Sequence, residues 1–190
     1  MTRRLCDRHI DYPDLTSQSP GSWLPILNSP AVRRHLIEHP QFDRSAVRRW
    51  LRDKQGIDAL PGCRVRAVRV DGHLAGWCGI QPDGADYELA LVLDAAWWGV
   101  GRRVYQALLT WAMTFGHATV LVHLHQSRRP STWLLQLALS VESHEHMGSH
   151  FVTYRIPVPR ALEDTAGRYR SGSRIQALSL IHISEPTRPY

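Results

Sequence analysis

Cysteine is scarce in this 190-residue sequence, and its scarcity excludes two classes of small protein. The three cysteines, Cys6, Cys63 and Cys78, are widely spaced and form no CxxC pair. Disulfide-stapled secreted domains and zinc ribbons both need denser and more regular cysteine spacing, so neither is indicated. Free thiols at such spacing fit a reducing compartment, and we therefore expect a cytoplasmic protein.

Long hydrophobic runs are missing as well. No stretch of the sequence approaches the roughly 18 consecutive apolar residues that a membrane span needs, and no charged-then-apolar leader opens the chain. We therefore expect no membrane partner. At 43% hydrophobic residues the chain still has enough apolar side chains for a sizeable core. The length suits one domain, or one domain with a tail.

Acidic residues are outnumbered by basic ones, 17 to 23, which gives a formal net charge of +6. Arginine supplies nearly all of the basic charge, and such a balance favours an anionic partner: nucleic acid, acidic lipid or a polyphosphate cofactor. The arginines are scattered over several predicted elements, and no aromatic–basic alternation suggests a platform for stacking bases. Nucleic acid is therefore not the expected partner.

Helical signals dominate the first third of the chain. The stretch NSPAVRRHLIEH begins with Ser29 as an N-cap and Pro30 at the first helical position. The stretch FDRSAVRRWLRDK repeats this pattern, with Asp43 as the cap and an apolar stripe of Val47, Trp50 and Leu51. Both stretches predict short amphipathic helices.

Strand signals follow from residue 63 onward. CRVRAVRV alternates and slips phase at Val68, the pair Asp71-Gly72 is a strong two-residue hairpin signal, and HLAGWCGI is the returning strand. YELALVL is a third strand, and a long helix with Gly116 as its stop comes next. TVLVHLH, a short helix after Pro130, VESHEHM and HFVTYRIP complete the pattern. The order α-α-β-β-β-α-β-α-β-β predicts an α/β protein in which helices flank a central mixed β-sheet.

A glycine-containing segment, WWGVGRR, connects the strand YELALVL to the long helix. Glycines let the backbone approach an anion closely, and the first turn of a helix carries unpaired N–H groups at the positive end of its dipole. Arg102 and Arg103 add positive charge at the same place. GxG alone is a weak motif, short of both GxGxxG and the P-loop. A phosphate cradle and an ordinary turn before a helix both remain open on this chemistry.

The arrangement of YELALVL, WWGVGRR and VYQALLTWA, followed by strand, short helix and strand, resembles the GNAT superfamily of N-acetyltransferases. The resemblance spans about Arg64 to Ile156 and implies a GNAT-like acyl-CoA N-acyltransferase fold. It implies acetyl-CoA as co-substrate, its pyrophosphate held by a [QR]xxGx[GA] loop. Two registers of that loop fit: one leaves Ala96 where glutamine or arginine is expected, and the other leaves Arg103 at the final small position.

The resemblance also implies a set of cofactor-binding residues. In both registers the pyrophosphate donors fall between Trp98 and Arg103, and the end of the preceding strand contacts the carbonyl and pantetheine. Ser127 takes the place of a family asparagine, and Leu134 takes that of the tyrosine that acts as general acid. The implied residues are Leu91, Val92, Leu93, Trp98, Gly99, Val100, Gly101, Arg102, Arg103 and Ser127.

Acetyl transfer to an amine also needs a group that accepts a proton. Glu88 lies in the strand YELALVL and is the candidate catalytic base, while its alternative role is that of an exposed or salt-bridged strand residue. Tyr87 is weaker, because neighbouring strand residues point to opposite faces. His123 and His125, with His144, His146 and His150, make metal ligation conceivable, but no recognised zinc spacing is complete. We expect no metal.

The implied function is an acetyl-CoA-dependent N-acetyltransferase that transfers an acetyl group to a primary amine by direct attack in a ternary complex. The acceptor is a small molecule or a protein amine, and family relatives are often homodimers. The alternative is a catalytically impaired acyl-CoA-binding module of this fold or a basic nucleic-acid-binding protein. Salt-dependent binding of DNA or RNA would favour the latter.

Three segments are expected along the chain. Residues 1–158 form the single GNAT-like domain, and residues 159–177 form a polar, basic tail. The stretch LSLIHISEPTR, within residues 178–190, back-translates to DNA that is similar to a transposase-based sequencing-library adapter. We expect residues 178–190 to be non-native, so they are excluded from the reasoning about the fold.

Overall fold

A seven-stranded mixed sheet forms the centre of the protein. The computed structural model describes residues 7–36, 39–146 and 148–159, so the predictions for residues 160–190 lie outside the described residues. The sheet order is β1-β2-β3-β4-β5-β7-β6. Neighbouring strands are antiparallel except for β4 and β5, which are parallel. The strands are β1 (Ile10–Asp11), β2 (Arg64–Val70), β3 (His73–Asp83), β4 (Asp86–Leu93), β5 (Thr119–His125), β6 (Ser140–His146) and β7 (Ser149–Pro157).

Five α-helices accompany the sheet in the described part of the chain: α1 (Pro20–Leu27), α2 (Pro30–Arg33), α3 (Arg44–Asp58), α4 (Gly101–Thr114) and α5 (Thr132–Leu137). Two short 3₁₀ segments cover Leu15–Ser17 and Ala95–Val100. The mixed α/β architecture predicted from the sequence is confirmed.

Two elements at the start of the chain, α1 and β1, were not predicted from the sequence. Helix α1 was missed because its eight residues, PGSWLPIL, include two prolines and a glycine, which are typical of loops. Strand β1 has only two residues, too few for a periodic pattern. Helix α2 has four residues and is shorter than its sequence predicted.

Local signals explain where the main elements begin and turn. The Asp43 carboxylate accepts a hydrogen bond from the Ala46 amide at 2.6 Å and caps α3 as predicted. Between β2 and β3, Asp71 and Gly72 both have positive φ, 50° and 80°, as a tight hairpin turn requires. The phase slip in β2 is a register shift between Val68 and Arg69.

The sheet separates two hydrophobic cores. Neighbouring residues along a strand point to opposite faces of the sheet, and the side chains of β4 alternate in this way. Leu89, Leu91 and Leu93 pack with α4 and α5 in one core, while Ala90 and Val92 pack with α1 and α3 in the other. The two faces are called the α4 face and the α3 face below.

The sheet splits between β4 and β5. In these two parallel strands Glu88 and Leu121 are the only Cα partners, whereas β4 pairs with β3 along its whole length. Beyond that single pair, toward the carboxyl ends of both strands, the edges of β4 and β5 face an open gap. On the other side of β4 the packing is tight, since a Cβ at Gly76 would lie 2.0 Å from the Val92 carbonyl oxygen.

Candidate active site

A cleft of about 890 Å³ lies at the split in the sheet. Its walls include residues from both faces: Gly101, Arg102 and Tyr105 of α4 on one side, and Gln81 and Glu88 of the α3 face on the other. Most of the lining is apolar. The split therefore joins the two faces of the sheet through one continuous cavity.

Backbone groups of β4 are directed into this cavity. The Asp94 amide donates to the Ala75 carbonyl of β3 at 2.8 Å. Because amide direction alternates along a strand, the backbone groups of Leu93 and Leu91 point the other way, toward the gap. The Leu93 carbonyl does so, accepting a hydrogen bond from the Trp98 indole at 3.0 Å. The gap-facing amides are thus those of Leu91 and Leu93 rather than that of Val92.

The segment predicted as a glycine loop is helical instead. Ala95–Val100 forms a 3₁₀ segment that is capped by Asp94, whose carboxylate accepts from the Ala96 amide at 2.9 Å. The Gly101 amide donates to the Trp98 carbonyl at the junction with α4. The turn therefore runs directly into the helix, because the Asp94 cap and a run of helix-compatible residues favour helical over open backbone.

Gly101 is a glycine that the fold itself does not require. Its φ of −53° is ordinary for a helix. A Cβ built there would make only van der Waals contacts, at 3.7 Å from Leu93 Cδ1 and 3.8 Å from Leu91 Cδ2. What the missing side chain leaves open is the cleft, which Gly101 lines at the first position of α4.

Three arginines contribute positive charge to the lining of the cleft. Arg102 lies in the first turn of α4 with its guanidinium 5.8 Å from the ring centre of Trp133. Arg128 and Arg129, which follow β5, also line the cleft. Arg102 and the partial positive charge of the α4 N-terminus suit an anion, and Arg128 and Arg129 add positive charge to the same cleft.

Three of the predicted cofactor residues do not line the cleft: Gly99, Val100 and Arg103. Val100 is fully buried in the core of the α4 face. The Arg103 guanidinium donates to the Arg8 carbonyl at 2.7 Å. The remaining predicted residues do line it: Glu88, Leu91, Val92, Leu93, Trp98, Gly101, Arg102 and Ser127.

Ser127 joins two elements at the edge of the cleft. Its hydroxyl lies 2.7 Å from Nδ1 of His35 and 2.7 Å from Nδ1 of His125, and 2.9 Å from the Arg34 carbonyl oxygen. These contacts hold the segment after α2 against the end of β5. His35 in turn lies 6.1 Å from Trp98, ring centre to ring centre. Its pKa is lowered, chiefly because of desolvation.

Tyr105 of α4 lines the cleft and carries a buried hydroxyl. The residue is 7% exposed, its ring packs edge-on against Trp133, and its oxygen has no hydrogen-bond partner in the protein. Burial raises the pKa of this phenol, so it stays protonated at neutral pH. A buried donor without a partner is costly, so this hydroxyl is a polar group that the protein itself leaves unsatisfied.

Glu88 anchors the α3 half of the cleft. Its Oε1 accepts a hydrogen bond from Gln81 Nε2 at 2.7 Å, and its Oε2 lies 3.8 Å from His123 Nε2. The same His123 nitrogen lies 3.0 Å from the Asp83 carboxylate. Burial raises the pKa of Glu88 above its ordinary value, and the positive charge of neighbouring groups opposes that rise. A carboxylate with a raised pKa accepts a proton more readily than an ordinary glutamate does.

Sequence reasoning proposed Glu88 but named neither Gln81, its hydrogen-bond partner, nor Tyr105. Gln81 is the one polar residue in the apolar run GWCGIQ. It is separated from Trp77 by an even number of positions, so both side chains point to the same face of the strand. This parity could have placed Gln81 on the face of Glu88. Tyr105 gives no comparable signal, because an aromatic residue on an amphipathic helix is ordinarily core. His123 was considered as a metal ligand and lies instead beside the two carboxylates.

Two further features concern the described residues as a set. Among them no group of three or more His, Cys, Asp or Glu side chains could hold a metal ion. No helix within those same ranges combines the length and the apolar character needed to cross a membrane.

Comparison with solved structures identifies the fold as that of the GNAT acetyltransferases. The chain is similar to a protein of Bordetella pertussis assigned to that family, with 18% identity, 82% of this chain and 96% of that one covered, and a TM-score of 0.63. It is similar to an N-acetyltransferase of Staphylococcus aureus Mu50, with 15% identity, 80% and 99% covered, and a TM-score of 0.57.

A third similar structure is that of RimL, the ribosomal L7/L12 alpha-N-protein acetyltransferase. The identity is 12%, 78% of this chain and 90% of that one are covered, and the TM-score is 0.61. By sequence, no protein-family model and no curated protein matches the chain. At these low identities the likeness establishes the fold alone.

Proposed function

We propose that this protein is an acetyl-CoA-dependent N-acetyltransferase that acts on a primary amine. The observation that carries the proposal is the cleft through the split sheet, with Arg102 and the amino end of α4 on one face and the half-buried carboxylate of Glu88 on the other. Donor and acceptor can then enter from opposite faces and meet at the split. This arrangement supports direct transfer in a ternary complex, and the acetyltransferase neighbours agree with it.

The residues present fit acetyl-CoA. Arg102, Arg128 and Arg129, with the amino end of α4, suit its phosphates, and Gly101 leaves space for them. The gap-facing amides of Leu91 and Leu93 suit an extended arm that carries amide groups, since such an arm can continue the hydrogen bonding of the open strand edge. When bound, acetyl-CoA supplies an acetyl group activated as a thioester.

Glu88 is the proposed proton acceptor for the amine. An alkylammonium ion must lose a proton before its nitrogen can attack, and a carboxylate beside the split can accept that proton directly or through a water molecule. The raised pKa of Glu88 suits this task, because it brings the carboxylate closer to the operating pH. Gln81 donates to one carboxylate oxygen, and the other lies 3.8 Å from His123 Nε2.

Tyr105 is proposed as the hydrogen-bond donor to the departing sulfur. Leu134, at the position that the family resemblance assigns to a tyrosine, has no hydroxyl to donate, whereas Tyr105 also lines the cleft and its buried hydroxyl has no partner in the protein. We expect Tyr105→Phe to lower kcat about 10- to 100-fold, in keeping with loss of one donor, while CoA affinity and thermal stability are maintained. Steady-state kinetics and calorimetry check this, and an unchanged kcat would contradict it.

The acceptor is a primary amine of a small molecule or of a protein. The proposed function is tested by titrating the full chain with acetyl-CoA and CoA by calorimetry, then screening primary amines for thiol release. One-to-one binding in the micromolar range, followed by acceptor-dependent release of CoA, is expected. A folded protein that binds neither compound would overturn the proposal, and binding without turnover would favour an impaired acyl-CoA-binding module.

A further inference from the structure

Lys54 is the sole lysine among the 23 lysine and arginine residues of this chain. It lies in α3, where surface cations are arginines, and it is directed onto the sheet rather than into solvent. Its ammonium sits 4.5 Å from the ring centre of Trp77, a cleft-lining residue of β3. Burial lowers the pKa of Lys54, while Glu88 and Asp53 oppose this effect. A lysine held this way has a local role that the surrounding arginines do not share.

Hydrogen bonds connect Lys54 to the carboxylate of the cleft. Lys54 Nζ donates to Gln81 Oε1, and Gln81 Nε2 donates to Glu88 Oε1 at 2.7 Å. Gln81 is the one buried polar side chain among the described residues, at 5% exposure. Three groups on three elements, α3, β3 and β4, thus form one continuous chain of donors and acceptors.

The direction of this chain follows from the chemistry of its members. An ammonium group can only donate hydrogen bonds, so it fixes the carbonyl oxygen of Gln81 on the α3 side. The amide of Gln81 must then turn its NH₂ group toward Glu88, where it stabilises an ionised carboxylate and not a protonated oxygen. Without the ammonium, Gln81 could rotate by half a turn and offer its oxygen to Glu88 instead.

We propose that Lys54 is a positioning residue that acts through Gln81 to orient Glu88 and keep it ionised as the proton acceptor. The inference rests on the proposed function of Glu88. The charged groups that face Glu88 are Lys54 from α3, His123 from β5 and Asp83 at the end of β3. Lys54 and His123 favour the ionised form of Glu88, and Asp83 disfavours it. Loss of Lys54 therefore removes one of the positive charges that oppose protonation of Glu88.

The sign of the expected pH effect follows from this balance. Burial alone raises the pKa of Glu88, and Lys54 acts against that rise. Replacing Lys54 with methionine therefore raises the pKa of Glu88 further. Since a general base works only when deprotonated, activity must then be lost at a higher pH as the solution is acidified.

The kinetic test compares Lys54→Met, Lys54→Arg and Arg52→Met in the full chain. We expect Lys54→Met to move the acid limb of the kcat/KM profile upward by about one pH unit, and Lys54→Arg to restore most of that shift. Arg52→Met removes an exposed cation of the same helix and should leave the profile in place. Affinity for CoA should be equal in all three. An unmoved acid limb in folded Lys54→Met would overturn the proposal.

A second test needs no turnover. Because the chain has one lysine, protein grown with ¹³Cε-lysine gives a single side-chain signal, which can be followed through a pH titration. The signal of Lys54 is expected to show a step where Glu88 titrates, and that step should disappear in Glu88→Gln and shrink in Gln81→Met. A signal without that step overturns the connection itself. A step in a protein that lacks transferase activity would uphold the connection and reject the proposed function.

Discussion

Replacing Glu88 with glutamine is expected to lower kcat/KM for acetyl transfer by about 10²- to 10⁴-fold, the usual contribution of a positioned general base. Glutamine keeps the shape of the side chain and an oxygen that can accept from Gln81, so the fold and the cleft should persist. It cannot take up a proton. The defect should therefore fall on the chemical step, and calorimetry should give the same affinity for acetyl-CoA as in the unchanged protein.

The pH profile separates a base from a merely structural carboxylate. The pKa of Glu88 is raised chiefly by its burial, so in the unchanged protein the rate should fall with acidification at a pH above the ordinary range of a glutamate. In Glu88→Gln this limb should vanish, and the small remaining rate should rise with pH as the free amine becomes abundant. Glu145→Gln, an exposed carboxylate of β6, is the matched control. A variant with nearly full activity and an intact acid limb would remove Glu88 from the mechanism.

Replacing Gly101 with tryptophan is expected to weaken binding of acetyl-CoA and CoA by at least about 100-fold. An indole group would occupy the proposed phosphate site at the amino end of α4, and each 1.4 kcal/mol lost is tenfold in affinity. Gly101→Ala is the graded form of the same change. A methyl group there has ordinary contacts with Leu91 and Leu93, so it should be neutral for stability and cost binding modestly. Calorimetric titration of each variant measures the effect.

Gly56 offers the matched control for added bulk. It lies in helix α3 with open space around the position of its missing Cβ, so Gly56→Trp adds the same side chain to a helix without entering the cleft. We expect it to bind acetyl-CoA as the unchanged protein does. If Gly101→Trp is folded and retains full affinity, the phosphates do not bind at the amino end of α4, and the whole orientation of the ligand in the cleft must be revised.

Much of the fold is readable from the sequence, because strong local signals decide it. The Asp43 cap, the Asp71-Gly72 turn and the phase slip at Val68 each act within a few residues, and each appears in the structure where the pattern indicates. Helix α1 was not predicted, because its local sequence is typical of a loop. Its stability comes from burying Trp23 in the core of the α3 face, a tertiary effect that outweighs the two prolines and the glycine in its sequence.

The candidate site is only partly readable, because its chemistry depends on residues that meet through space. Glu88 could be proposed from its strand, and Gly101 and Arg102 from their position before a long helix. The contact between Lys54 and Gln81 joins residues 27 positions apart on α3 and β3, and nothing local predicts it. The WWGVG segment shows a local signal that misleads. Its glycine content predicts an open loop, whereas the segment forms a 3₁₀ turn capped by Asp94.

The split between β4 and β5 bears on how this protein avoids aggregation. Unpaired strand edges ordinarily attract strands of other molecules, and proteins cover or charge them for that reason. Here the two open edges lie in the interior of a seven-stranded sheet, flanked by β3 on one side and β7 on the other. A foreign strand would need to thread between helices on both faces to reach them. The backbone N–H and C=O groups at the split can therefore bind a slender ligand, while a strand of another molecule cannot reach them.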